Sequence, residues 1–165
     1  MNAGAFGGET WAHVRALETI DRRGRTHRRE PSEYRVGYRE VITPAPDEWF
    51  IGAELSFERR PGAHAGEVRK LLEQRKASQP IGEWSCGSVF TNPPGDHAAR
   101  LIEAAGLKGF RIGGASVSQK HANFIINHGQ ASAADLEHLI GHVRDTVARV
   151  HGVALQPEVR IVGVP

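Results

Sequence analysis

Apolar and polar residues change their rhythm along this chain, and the changes outline its elements. Residues 11–21, Trp-Ala-His-Val-Arg-Ala-Leu-Glu-Thr-Ile-Asp, partly alternate, with Val14, Ala16 and Ile20 set against polar neighbours. A period of two predicts a strand. Arg23-Gly24 marks a turn, and residues 26–29 are placed to pair back as a hairpin. Pro31-Ser32-Glu33-Tyr34 reads as a short helical turn. Residues 49–57, Trp-Phe-Ile-Gly-Ala-Glu-Leu-Ser-Phe, are apolar on both faces, which predicts a central strand.

The composition shifts after Arg60-Pro61-Gly62. Residues 64–77 read as a helix, because Val68, Leu71, Leu72 and Arg75 fall on one face, and Gln79-Pro80 ends it. A second helix is expected over 98–105, with Asp96 as its N-cap and Gly106 just past its end. Arg111-Ile112 reads as a short extended piece before the Gly113-Gly114 turn. Residues 123–127 read as a strand closed by His128-Gly129. Ser132 caps a long helix over 133–150, in which Leu136, Leu139, Ile140, Val143, Val147 and Val150 keep helical spacing and Gly152 ends the helix. Residues 154–164 read as a final strand. Short strands followed by helices and strands imply an α+β fold. The boundary falls near residue 60, giving a β-rich part over 1–60 and an α+β domain over 61–165.

Composition narrows the function classes. The chain has 165 residues, 39% hydrophobic and 24% charged, which suits a globular chain of one domain, or one domain with part of another. A formal net charge of +2 implies no strong overall field. Arg22, Arg23, Arg25, Arg28 and Arg29 form one basic cluster. It reads as a solvated turn between strands; the alternative is attraction of a phosphate-rich ligand or nucleic acid. No aromatic residue sits within the cluster, so stacking on bases is unsupported and no nucleic-acid partner is expected. The single cysteine, Cys86, has no internal disulfide partner and no zinc-ligand spacing around it, so no metal is expected. His138 and His142 lie four apart on a helix without a third ligand pattern. No apolar run is long enough to span a bilayer and no signal peptide is seen, so a membrane is not expected and a reducing, cytoplasmic setting is the simplest reading.

The candidate chemistry lies in two segments. Gly87-Ser88-Val89-Phe90-Thr91-Asn92-Pro93 puts a hydroxyl beside a glycine and an amide four residues on. Glycine permits a sharp turn that presents the hydroxyl at close range, although a serine bonding its own backbone is an open alternative. Gln156-Pro157-Glu158-Val159-Arg160 puts a carboxylate and a guanidinium two apart, on one face if the segment is a strand. An exposed Glu158–Arg160 ion pair is the plainer reading of that spacing. Lys76 at the end of its helix and His121 between a loop and a strand are weaker candidates for contact with a phosphate or substrate.

Both segments, and nearly the whole chain, resemble the C-terminal part of the UDP-N-acetylenolpyruvoylglucosamine reductases, flavoenzymes of bacterial cell-wall precursor synthesis. The resemblance also rests on residues 1–9 (Met-Asn-Ala-Gly-Ala-Phe-Gly-Gly-Glu), 34–39 (Tyr-Arg-Val-Gly-Tyr-Arg), Gln79-Pro80, 99–109 (Ala-Arg-Leu-Ile-Glu-Ala-Ala-Gly-Leu-Lys-Gly), 111–115 (Arg-Ile-Gly-Gly-Ala) and 121–127 (His-Ala-Asn-Phe-Ile-Ile-Asn), in that order. The resemblance implies an FAD enzyme that consumes NADPH and reduces UDP-N-acetylglucosamine enolpyruvate to UDP-N-acetylmuramate. It implies that Ser88 is the general acid that protonates C2 while hydride reaches C3. It implies that Arg39 holds the substrate carboxylate, and that Glu158 assists its polarisation. Tyr38 and Asn92 match polar residues around the substrate, and Arg160 matches one toward its nucleotide end. Asn2, Ala3, Gly4 and Ala5 resemble the tail of a flavin-contacting loop, where small residues let backbone N–H groups approach a diphosphate. No G-x-G-x-x-G stands between a strand and a helix, so a Rossmann site is not indicated. On this resemblance, residues 1–60 are a remnant of the FAD domain and 61–165 the substrate-binding domain, and most of the flavin cradle is expected to lie upstream of Met1. The alternative is an inactive fragment that binds UDP-sugar or a partner chain only. A half-sheet without its covering segment is expected to self-associate through strand edges.

Overall fold

The computed structural model describes residues 2–59, 62 and 65–163. The chain divides into two compact units, Met1–Ala63 and His64–Pro165.

The N-terminal unit opens with a small hairpin, β1 (Gly4–Ala5) against β2 (Gly8–Glu9). Its turn residues Phe6 and Gly7 both have positive φ, 52° and 83°. That backbone suits the right-handed twist of a two-residue hairpin. Residues 10–13 then form a 3-10 turn rather than the start of a strand. The strand expected over 11–21 therefore begins later, as β3 (Val14–Asp21). β4 (Thr26–Arg29) pairs back on it as the Arg23-Gly24 turn predicts. After a 3-10 turn at Pro31–Glu33 come β5 (Arg35–Gly37) and β6 (Glu40–Ile42), a separate hairpin with Tyr38 and Arg39 at its tip. β7 (Glu48–Leu55) closes the unit.

The three-stranded sheet runs β4-β3-β7, all antiparallel. β7 is thus an edge strand among the described residues, not the central one. β3 takes the centre, so apolar residues on both faces of β7 do not mark a central strand. Trp49, Phe50, Ile51 and Leu55 remain exposed. Opposite Glu18 and Thr19 the partners are Gly52 and Phe50, so Ile51 is bulged out of register. The core of this unit is small: Val14, Leu17 and Tyr34, with Trp11, Val36 and Val41 packed on them. Trp11 meets Tyr34 edge-on at 5.3 Å.

The C-terminal unit begins with α1 (Ala65–Ser78). Its Val68, Leu71 and Leu72 are exposed, so the expected apolar face is not buried. Charged residues surround that narrow stripe, including an Arg69–Glu73 pair one turn apart. α2 (Ala98–Ala104) ends in Ala105 and the left-handed Gly106, φ 74°. Its start departs from expectation. His97, not Asp96, occupies the N-cap, and Asn92 Oδ1 accepts the Ala98 N–H at 3.0 Å. Asp96 is drawn instead to Arg100, whose Nε donates to its Oδ1 at 2.7 Å.

β8 (Arg111–Ile112), β9 (Ala115–Val117) and β10 (Ile125–Asn127) form an antiparallel sheet in the order β10-β9-β8. α3 (Ala133–His151) follows, with Ser132 and Asp135 in a capping box and Gly152 left-handed at φ 69°. Leu139, Val143 and Val147 of α3 pack with Leu101 and Ile102 of α2, Val117 and Ile125 of the sheet, and Val89, Phe90 and Leu155 from extended segments. Each such side chain contributes roughly 1.5–3 kcal/mol through burial.

Among the described residues no strand forms in the stretch where a final one is expected, over 154–164. Phe90 and Pro157 make an isolated antiparallel bridge. The two bonds that flank this rung, from Thr91 N–H to the Gln156 carbonyl and from Glu158 N–H to the Val89 carbonyl, are both made, so proline's missing N–H costs this rung nothing. The expectation extends to residue 164, which lies outside the described residues.

Candidate functional site

Ser88 follows Gly87, whose φ of 84° gives the turn the sequence implied. From there residues 88–91 run extended between two other stretches of chain. On one side Ser88 bridges Phe124, and the Val89 N–H donates to the Asn123 carbonyl at 2.9 Å. On the other the Glu158 N–H donates to the Val89 carbonyl at 2.8 Å, and the Thr91 N–H to the Gln156 carbonyl at 3.0 Å. Ser88 and Glu158 therefore stand on adjacent segments, bonded through the residue that follows Ser88. Both are half-buried. Asn92, one residue past the bridged stretch, spends its Oδ1 on the start of α2.

Sequence reasoning missed Asn123. It is 4% exposed. Its Oδ1 accepts the Phe90 N–H at 3.0 Å, and its Nδ2 donates to the Phe90 carbonyl at 2.8 Å. The signal was an Asn inside an otherwise apolar run, where a buried amide must find partners.

Arg160 lines a mostly apolar groove of about 530 Å³ with Trp84, Cys86, Val89, Leu136 and Ile140. Cys86 is exposed as a residue, yet its apolar surroundings desolvate the thiol and raise its pKa. That favours the protonated thiol, the opposite of what a nucleophilic cysteine requires. Lys76 is exposed on the last turn of α1, and its carbonyl accepts from Lys120 Nζ at 2.9 Å. His121 is half-buried, which lowers its pKa. Its Nδ1 accepts the Asn123 N–H at 3.3 Å and its ring meets Phe124 edge-on at 4.9 Å. These contacts suit a neutral histidine that shapes the turn.

Tyr38 and Arg39 belong to the N-terminal unit. Arg39 has φ 57°, an uncommon backbone for a residue with a side chain. Its guanidinium carbon lies 5.5 Å from the Tyr38 ring centroid, a cation–π distance. Asn2 is only 1% exposed and its amide is used internally. Nδ2 donates to Glu9 Oε2 at 2.6 Å and to the Gly37 carbonyl at 3.4 Å, while Oδ1 accepts the Trp11 N–H at 3.1 Å. This arrangement makes Asn2 a tie between the β1–β2 hairpin and β5, with no surface for direct ligand contact.

Ala3, Gly4 and Ala5, with Gly8, His13 and Phe57, line a hollow of about 480 Å³. A Cβ on Gly4 would come within 2.6 Å of the Gly8 carbonyl oxygen, so this rung requires glycine. The His13 and Phe57 rings lie 5.0 Å apart on one wall. Bare backbone beside aromatic rings fits a flat, phosphate-bearing cofactor such as FAD.

The arginine cluster is largely neutralised in place. Arg22 pairs with Asp47, Arg25 with Asp21, Arg28 with Glu54, and Arg29 with Glu33 and Glu48. Among the described residues no group of three or more His, Cys, Asp or Glu is placed to hold a metal ion.

Comparison with known proteins follows the same lines. A family model described as UDP-N-acetylenolpyruvoylglucosamine reductase, C-terminal domain, matches residues 79–162. UDP-N-acetylenolpyruvoylglucosamine reductase of Alkalilimnicola ehrlichii is 64% identical over 166 residues, covering 99% of this chain and 55% of that protein. Its counterpart in Methylococcus capsulatus is 59% identical over 164 residues, with 99% and 54% covered. The crystal structure of UDP-N-acetylenolpyruvylglucosamine reductase from Thermus caldophilus superposes with a TM-score of 0.80 at 35% identity, covering 96% of this chain and 56% of that one. The chain spans about half the length of the curated relatives it matches.

Proposed function

Because the chain belongs to the UDP-N-acetylenolpyruvoylglucosamine reductase family, we propose that it carries the substrate-binding and proton-donating part of that enzyme. The reaction is the NADPH-dependent reduction of UDP-N-acetylglucosamine enolpyruvate to UDP-N-acetylmuramate, a step of peptidoglycan precursor synthesis. The observation that supports it most is the pairing of the Ser88 segment with the Glu158 segment through Val89. The hydride that the C3 carbon of the enolpyruvyl group receives would come from bound FAD after its reduction by NADPH.

Ser88 Oγ–H delivers the proton to C2, so the double bond gains one hydride and one proton, and the serine recovers its proton from solvent. Arg39 holds the substrate carboxylate by a bidentate pair of N–H bonds. Negative charge builds on that carboxylate as hydride arrives, so a fixed guanidinium favours the transition state over the ground state. Glu158 orients the donor hydroxyl. Tyr38 and Asn92 line the sugar and enolpyruvyl end, and Arg160 receives the nucleotide end. Lys76 and His121 have lesser parts, at a phosphate and at the turn beside Asn123. Ala3, Gly4 and Ala5 would border the FAD diphosphate, with Asn2 holding their hairpin.

We place the reaction in the cytoplasm on the strength of a single cysteine with no internal disulfide partner. Among the described residues no helix is long and apolar enough to cross a membrane. The β7 edge is proposed as a surface for self-association.

The test supplies FAD, NADPH and the enolpyruvyl substrate and follows NADPH absorbance. Ser88→Ala is expected to lower kcat by roughly 10²–10⁴-fold, the usual worth of a positioned proton donor. Unchanged turnover would remove Ser88 from the role. Binding of UDP-sugar with no turnover by the unaltered chain would leave a binding fragment in place of an enzyme.

A further inference from the structure

We infer that Asn123 is a positioning residue for the proposed reaction, setting the register between Ser88 and Glu158. The inference rests on the reading of Ser88 as proton donor. Three hydrogen bonds carry it. The Asn123 carbonyl takes the Val89 N–H at 2.9 Å, and its carboxamide takes both the N–H and the C=O of Phe90, at 3.0 and 2.8 Å. One buried residue thereby fixes two consecutive residues of the segment that starts at Ser88.

The regular ladder explains why a side chain is needed. β10 begins only at Ile125, and the Ser88–Phe124 contact is an isolated bridge. Beyond that bridge no strand among the described residues meets Phe90 on this side, and the Asn123 amide stands in for the missing rung. An amide is suited to this, since it offers one donor and one acceptor in a plane, as a peptide group does. The opposite edge of the same segment is where Val89 accepts the Glu158 N–H. Asn123 and the Glu158 segment thus hold Val89 and Phe90 from opposite edges, and loss of the two amide bonds loosens the segment that carries Ser88 against Glu158.

Packing does not fix that register. Val89 and Phe90 are 1% and 2% exposed, so burial keeps the segment in the core. Burial is non-directional, however, and tolerates a small sliding motion that hydrogen bonds forbid. Misplacement of about 1 Å at a reacting group can cost about 100-fold in rate. Asn123 touches no substrate in this account; it acts through the backbone of Val89 and Phe90.

The test uses the whole chain with FAD, NADPH and the enolpyruvyl substrate. Two variants are compared, Asn123→Leu, which removes both amide bonds, and Asn123→Asp, which keeps the acceptor for the Phe90 N–H but loses the donor. The expected result is a kcat lowered about 10–100-fold with substrate KM within about threefold of the unaltered chain. Amide hydrogen exchange should quicken at Val89, Phe90 and Glu158 and stay slow at Leu139 and Val143 in α3. A normal kcat with quickened exchange at those three amides overturns the inference and leaves the Ser88 reading standing. Exchange that quickens throughout α3 in both variants also overturns it, in favour of a general role in folding. An unaltered chain without turnover sinks the reading of Ser88 and this inference with it.

Discussion

Glu48 of β7 accepts from Arg29 Nε at 3.0 Å, pairs with a second nitrogen of the same guanidinium, and accepts the Thr19 hydroxyl at 2.6 Å. Its side chain is 8% exposed. The Arg29 bonds, and next the Thr19 hydroxyl, hold its carboxyl down at about 2 against an ordinary 4.5. A depressed carboxylate pKa stabilises the fold above the unfolded value and loses that contribution as pH falls through the folded one. The melting temperature of the N-terminal unit should therefore drop between about pH 4.5 and about pH 2. Glu48→Gln should flatten that slope in a thermal scan series, and an unchanged slope would assign the acid sensitivity elsewhere. Gly114 sets a second constraint by contact alone. A Cβ there would meet the Ala131 backbone nitrogen at 2.4 Å. Backbone cannot swing aside as a side chain can, so Gly114→Ala should lower stability measurably in urea titration. The Gly113-Gly114 turn was legible in the sequence; the crowding against residue 131 was not, because it joins parts of the chain far apart in order. Asn123 escaped notice for the same reason, since its partners lie 33 positions away.

At the scale of elements, the sequence spoke clearly where the controlling residues are close together. α3 carries its own instructions. Ser132 accepts the Asp135 N–H, Asp135 Oδ2 accepts the Ser132 N–H at 3.0 Å, and Gly152 turns left-handed at the far end. Asp135 also accepts the Gly114 N–H, weakly, at 3.4 Å, and backbone bonds lower its pKa. Ser132→Ala is expected to cost about 0.5–2 kcal/mol, the usual worth of an N-cap. Denaturant midpoints at constant slope would measure it; a loss below a few tenths of a kcal/mol would mean the helix is held by packing alone. α2 shows the contrasting case. Asp96 is a good N-cap by residue type, but Arg100 one turn on competes for its carboxylate, and Asn92 from outside the helix takes the Ala98 N–H. The absent strand after residue 154 and the exposed stripe of α1 fail for tertiary reasons too. Periodicity reports which face a segment would bury, not whether a partner is there to bury it.

The two units differ as whole bodies. The C-terminal one has a continuous apolar core drawn from α2, α3, its sheet and the segments around Val89 and Leu155. Expressed as residues 64–165, it is expected to unfold cooperatively in a single transition. A broad, slope-free thermal trace would show that it depends on the rest of the chain. The N-terminal unit rests on a small core around Val14, Leu17 and Tyr34 and leaves Trp49, Ile51, Leu55 and Phe57 exposed, Phe57 by 68%. β7 also has an unpaired edge among the described residues. Edge groups that could bond another strand, beside apolar side chains, favour association of copies. The bulge at Ile51 interrupts the edge at its midpoint. It limits the length of any ladder between copies, so contact through apolar side chains is expected to dominate. Sedimentation velocity should then give an average mass that rises above 18.0 kDa with concentration. Ile51→Lys puts a charge at the exposed bulge, clear of the Trp11 and Tyr34 rings that Phe50 touches. It should shift the mass back toward the monomer without lowering the melting temperature. A chain that stays monomeric across the concentration range would show that β7 is tolerated bare and that its apolar residues do not drive association.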